Sequence, residues 1–393
     1  MSRGEGGHTF MRSKCKFAAA AFALFALLLA LQPAVLPSGA SAQLPYDTWY
    51  VDRQSGDLAV IQPIYIPKTV VDGNGMDVPL SSPSDLFIAD SGHVYIADTG
   101  NNRIVELGAD GDFIRSIGPE DGPGKLDAPE GVFVDGDGTI YVANTGGRSI
   151  VKFGADGTFL AEFGKPDSPW LTEDYFFLPI KLVVDRRGVM YIVVKDTHQG
   201  LFRMNPNGEF TGFFGANKTK LSFMDRLQRA VLSREQVARL APKRPNAIQN
   251  ISLTDDGFLI VTSSGTVSDG QIRKLNAGGQ DAFQNKAFDP QLVDTVTDAQ
   301  GFLYTISRRG GELGIYDPTG EPMIFFGAGD STARQLGAAA YPTALDVSPA
   351  NEIWLLDGAQ NLIHVFQRTS FGETFMKASE LHFSGEYEAA KPY

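Results

Sequence analysis

The chain has 393 residues, 43% of them hydrophobic and 11% aromatic, with 43 Gly and 22 Pro. That composition describes a globular chain of short strands joined by tight turns. The formal charge of −12 repels phosphate backbones and argues against nucleic acid as a partner.

Residues 1–42 read as an export signal. Arg12, Lys14 and Lys16 form a basic start, and Phe17–Leu31 is an apolar run. Ala40-Ser41-Ala42 then fits a small-residue cleavage site before Gln43. Left uncleaved, the same segment would be an N-terminal membrane anchor, although the run is short for a full span. The expected location is therefore extracellular or associated with the cell envelope. The single cysteine, Cys15, precedes the apolar run. A body beginning at Gln43 would hold no disulfide and no thiol chemistry, and would carry a charge of −15.

From Pro83 the chain reads PSDLFIADSGHVYIADTGNNRIVELGADGDFIRSIG, and from Pro129 PEGVFVDGDGTIYVANTGGRSIVKFGADGTFLAEFG. Each copy alternates four strands with turns, and Asp110-Gly111 and Asp156-Gly157 mark the same hairpin in both. Weaker copies start near Pro179, Ile248, Leu292 and Pro342. Twelve residues after the six starts stand Tyr95, Tyr141, Tyr191, Ile260, Tyr304 and Trp354. Large side chains there suit the middle of a second strand packed between neighbouring sheets. A period of this length with four strands per unit predicts an all-β fold, a six-bladed β-propeller of four-stranded blades. The copies resemble NHL repeats over residues 80–367, and VYIADTGNNRIVEL in the first is close to that family's central motif. The resemblance implies the same six-bladed propeller.

Between the third and fourth copies, residues 216–244 have helical apolar spacing: Phe223, Leu227 and Val231, then Val237 and Leu240. Ser233 with Gln236 makes a capping box. A small helical insertion on the propeller rim is expected. The sixth copy lacks a fourth strand, and Leu58–Ile66 has the composition to supply it, which would close the ring and remove open edges. After Gln367 the pattern stops. Residues 368–393 form a helical tail, through Ala378, Leu381, Gly385, Tyr387 and Ala390 similar to the first helix and turn of a tetratricopeptide repeat. The plainer alternative is a short helix packed on the propeller.

The start of each innermost strand faces the central channel. Two residues after each start come Asp85, Gly131, Lys181, Asn250, Asp294 and Ala344, and one residue after it Ser84, Glu130, Ile180, Gln249, Val293 and Thr343. Asp85, Glu130, Lys181, Asn250 and Asp294 are the candidate binding residues of the channel mouth. Oxygens of Asp85, Asn250 and Asp294 converging on one axis could hold Ca²⁺ or another hard cation. Lys181 could instead neutralise the acids, and on that account no resident cofactor is expected. Deeper positions, Phe87, Phe133, Val183, Ser252, Val296 and Asp346, are mostly bulky and read as a plug.

Amidating lyases share this propeller type and use a histidine-bound zinc. His93, His198, His364 and His382 form no converging triad here. Gluconolactonase-type propellers use acidic and amide ligands at the inner strands, to which Asp85, Glu130, Asn250 and Asp294 are similar in composition. Asp98-Thr99-Gly100-Asn101-Asn102 reads as a tight turn held by side-chain-to-backbone bonds. The expected function is a non-enzymatic module binding a protein or carbohydrate ligand on its loop face. The alternative is a cation-dependent lactonase or lyase.

Overall fold

In each blade the second strand is buried along its whole length: VYIAD, IYVAN, MYIVV, LIVTS, LYTIS and IWLLD. Both faces of such a strand meet a neighbouring blade, so both must be apolar. The outermost strand, as in Phe113–Ile117, alternates instead between covered and exposed positions. The computed structural model describes residues 44–217, 246–263, 271–283, 291–308, 310–329 and 335–393.

The result is a six-bladed all-β propeller. Blades one, two, three and six are four-stranded sheets. In blade four three strands are described, with Leu275 bridging to Asp281 beyond them. Residues 1–43, which carry the expected export signal, and 218–245, which carry nearly all of the expected helical insertion, lie outside the described residues. Pro45–Tyr393 forms one compact unit, and among its described residues no helix is long and apolar enough to cross a membrane.

The repeated turns have a physical basis. Gly111 and Gly157 stand at φ +90° and +83°, a region where a Cβ would clash. Asp98 is fully buried and accepts from the backbone N–H of Ser81, from Asn101 Nδ2 and from Arg103 Nε. Thr99 Oγ1 donates to the carbonyl of Pro129 at 2.7 Å, and Thr145 Oγ1 donates to that of Pro179 at 2.6 Å. The Asp/Asn-Thr-Gly turn thus ties blades one and two each to the first residue of the next blade, so it is structural.

Ring closure differs from the sequence expectation in its register. The closing strand is Tyr65–Val71 (β3), paired antiparallel with Leu362–Arg368 of blade six. Leu58–Ile61 (β2) is elsewhere: it pairs with Thr48–Val51 (β1), and the two extend blade five to six strands. The reason is a turn at Asp52–Asp57, where Asp52 Oδ1 accepts from the N–H groups of Gln54 and Ser55 and Gly56 takes φ +75°. That turn folds Leu58–Ile61 back on β1, leaving the next strand to close the ring.

The tail is helical, as Ser370–Phe383 (α1) and Tyr387–Ala390 (α2). Thr369 caps α1, accepting from Gly372 N–H at 2.9 Å. Met376 and Leu381 are buried, and Met376 joins the core shared by blades five and six. Phe375 meets Tyr50 edge-on at 6.1 Å, and Phe383 meets Phe302 at 5.8 Å. At Gly372 any Cβ would stand 2.2 Å from the carbonyl oxygen of Ile64, so the helix approaches as closely as its backbone allows. The tail buries its apolar face on the propeller itself.

Candidate functional site at the channel mouth

A bulge shapes the mouth. In blades two to six the pairing of the first strand with the second slips between the starting residue and the one two places on. The extra residue leaves the ladder, and two consecutive side chains then reach the same end of the channel. Ile180 with Lys181, Gln249 with Asn250, and Leu292 with Val293 all line a cavity of ≈ 910 Å³ there.

Four of the five candidate residues meet at the floor of this cavity. Lys181 Nζ donates to Asp85 Oδ1 at 2.5 Å and lies 3.6 Å from Asp294 Oδ2. It reaches from blade three to blades one and five, so one ammonium ties three alternate blades. Asn250 Nδ2 donates to Asp294 Oδ1 and, at 3.3 Å, to the carbonyl of Val293. The remaining carboxylate capacity is taken by backbone: Val132 N–H donates to Asp85 Oδ2, and Leu345 and Thr295 N–H donate to Asp294. Asp85, Asn250 and Asp294 are almost wholly buried. Glu130 lines the cavity but makes no bond to the other four.

Burial opposes every charge in this cluster. It raises the Asp85 carboxyl above its ordinary value, against the pull of Lys181. It also works against the Lys181 ammonium, but Asp294 and Asp85 outweigh it and hold the proton on. The group is therefore a coupled unit in which each partner justifies the others' burial.

These side chains do not suit a metal ion. The place between Asp85 and Asp294 that a cation would take holds Lys181 Nζ. Among the described residues no group of three or more His, Cys, Asp or Glu could hold a metal ion. The donor set does not fit Ca²⁺, which needs six to eight oxygens. His93 is engaged elsewhere, with Nδ1 2.8 Å from Glu106 Oε1, and His364 is buried in the third strand of blade six.

Below the tetrad, Phe87 and Phe133 pack at 5.1 Å between centroids and narrow the channel. Asp346 lies beside them, bordering a smaller space of ≈ 70 Å³. The N–H groups of Ile88 and Val347 donate to it at 2.7 and 2.8 Å. Burial nonetheless lifts its carboxyl to about 7. A group whose folded value exceeds its unfolded one holds its proton better when folded. Its contribution is therefore fully present below about pH 4 and is lost as pH rises towards 7. Replacing Asp346 by Asn should flatten the stability profile between pH 4 and 7, an effect of at most about 4 kcal/mol. Urea melts across that range check it, and parallel profiles for the two proteins would refute it.

Sequence reasoning missed part of the rim. Lys195, Arg308 and Tyr341 also line the cavity, and Arg308 lies over the Tyr341 ring at 4.7 Å. The signal was present: Lys195 and Arg308 stand sixteen residues after their repeat starts, where blades one and two carry Thr99 and Thr145.

The NHL repeat model matches residues 80–107. No curated protein matches the chain in sequence. A streptogramin B lyase is similar in structure, with TM-score 0.47, 14% identity, and 80% of this chain and 85% of that one covered. A catalytically inactive virginiamycin B lyase from Staphylococcus aureus with quinupristin has TM-score 0.47 and 13% identity, covering 81% and 86%. A structure assigned as a gluconolactonase has TM-score 0.46 and 13% identity, covering 74% and 89%.

Proposed function

We propose that this NHL-type propeller acts outside the cytoplasm as a non-enzymatic binding module, taking its partner on the loop face at the channel mouth. One observation carries the reading. The charged groups of the mouth are committed to each other, with Lys181 between Asp85 and Asp294 and Asn250 on Asp294. No carboxylate of that tetrad is left to activate water or to hold a cation. Above it stands an open cavity with contributions from all six blades, from Ser84 and Glu130 round to Thr343. Its volume falls in the range of ligand-binding clefts, about 300–1,000 Å³. The net negative charge favours a protein or carbohydrate partner over nucleic acid.

The convergence of Asp85, Asn250 and Asp294 favours a second reading, a cation-dependent lactonase or lyase, but that reading requires Lys181 to withdraw. Millimolar Ca²⁺ separates the two. We expect the melting temperature to be unchanged by Ca²⁺. A bound ion at 100 times its Kd would add about 2.7 kcal/mol. A rise of that kind, together with Ca²⁺-dependent opening of δ-gluconolactone, would replace the binding module with the enzyme.

A further inference from the structure

The mouth has one feature that the tetrad does not explain. Asn250 Nδ2 faces Asp294 and Val293, which fixes the orientation of the amide. Its other atom, Oδ1, is a buried acceptor without a partner among the described residues. Asn250 is 5% exposed and is one of the residues lining the cavity. Buried acceptors are almost always satisfied, so an orphan on a cavity floor points to a donor that arrives with a ligand.

The rim limits what that ligand can be. Among the described residues the cavity is lined by three carboxylates, Asp85, Glu130 and Asp196, and three cations, Lys181, Lys195 and Arg308. Near-balance of charge selects neither an anion nor a cation. The exposed Gln249 amide and the Glu130 carboxylate supply further acceptors, and Lys195, Arg308 and the Gln249 NH₂ group supply donors. A ring that both donates and accepts, above an acceptor awaiting a hydroxyl, matches a ligand whose groups do both.

We propose that the channel mouth binds a neutral polyhydroxylated ligand, a saccharide, with one ligand hydroxyl donating to Asn250 Oδ1. The proposal rests on the binding reading above and narrows it. Glu130 of blade two and Gln249 of blade four take hydroxyls, while Lys195 of blade three and Arg308 of blade five donate. Oδ1 is closed off in the free protein, so the Asn250 amide shifts to meet the hydroxyl while Lys181 keeps Asp85 and Asp294.

The full chain is titrated calorimetrically with maltose, cellobiose and lactose, and in parallel with trialanine. Hydrolysis of δ-gluconolactone is followed in the same preparation. The expected result is binding of at least one disaccharide, weakened about tenfold or more in Asn250→Leu, as loss of a buried hydrogen bond to ligand implies. Gln249→Ala should weaken it too. That side chain is exposed, so this variant decides the matter if Asn250→Leu fails to fold. Disaccharide binding untouched by Gln249→Ala and by a folded Asn250→Leu would overturn the proposal, as would no disaccharide binding at all. Binding of trialanine alone would overturn it while leaving the binding module standing. Turnover of the lactone would overturn both.

Discussion

Replacing Lys181 by Met should destabilise the protein by about 3–5 kcal/mol, the cost typical of removing one partner from a buried ion pair. The variant keeps the stem of the side chain and removes the ammonium. Asp85 then loses its 2.5 Å partner and Asp294 loses its cation at 3.6 Å. Both are almost wholly buried, so water replaces little of the lost contact. Burial already lifts Asp85, and without the cation that carboxyl should rise further and take up a proton. The penalty is therefore largest at neutral pH and shrinks on acidification, because the variant binds more protons folded than unfolded. Adding Asp85→Asn to Lys181→Met should recover a substantial part of the loss. Urea denaturation of the three proteins at two pH values measures this. A loss below about 1 kcal/mol would place Lys181 among surface ion pairs and remove the tetrad as a structural unit.

Deleting residues 370–393 should cost about 5 kcal/mol and promote aggregation. Met376 and Leu381 are buried, and Phe371, Phe375 and Phe383 pack on the core of blades five and six. A fully buried side chain of this class contributes about 1.5–3 kcal/mol, and the half-covered ones contribute less. The deletion also uncovers Ile64 and Phe302, which lie beneath α1. Arg53 belongs to the same assembly, pairing with Asp317 of blade five and lying 5.1 Å over the Phe383 ring. A truncated chain with an unchanged melting temperature would show instead that the tail is an independent appendage. Gly372→Leu probes the same contact without shortening the chain, since its side chain must meet the Ile64 carbonyl.

Much of the architecture was legible because a propeller repeats one local problem. Each second strand must be apolar on both faces, which places Tyr95, Tyr141, Tyr191, Tyr304 and Trp354 at one offset. The turn between the second and third strands must satisfy buried groups and reach the next blade, and in blade one this requires the residues seen at Asp98 and Thr99. Such signals are local, so they survive in sequence. The closing strand was misplaced by several residues because Leu58–Ile61 and Tyr65–Val71 both read as strands, the second despite Pro67 and Lys68. Composition cannot choose between two such segments, and only the Asp52–Asp57 turn decided which one reached blade six.

At the mouth, sequence alone determined which side chains stand at one depth, since a shared register sets depth along a strand. The placing of Asp85, Lys181, Asn250 and Asp294 together follows from that count. Tertiary structure decided who pairs with whom. The distance across the axis, the bulge that turns Asn250 and Lys181 into the channel, and the backbone donors at Val132 and Leu345 come from other blades. Lys181 therefore bridges two acids that lie 96 and 113 residues away in sequence, and Asn250 is left with an unpartnered oxygen. Neither result can be read from spacing along the chain, because electrostatic pairing depends on separation in space and on the exclusion of water, which the closed ring alone provides.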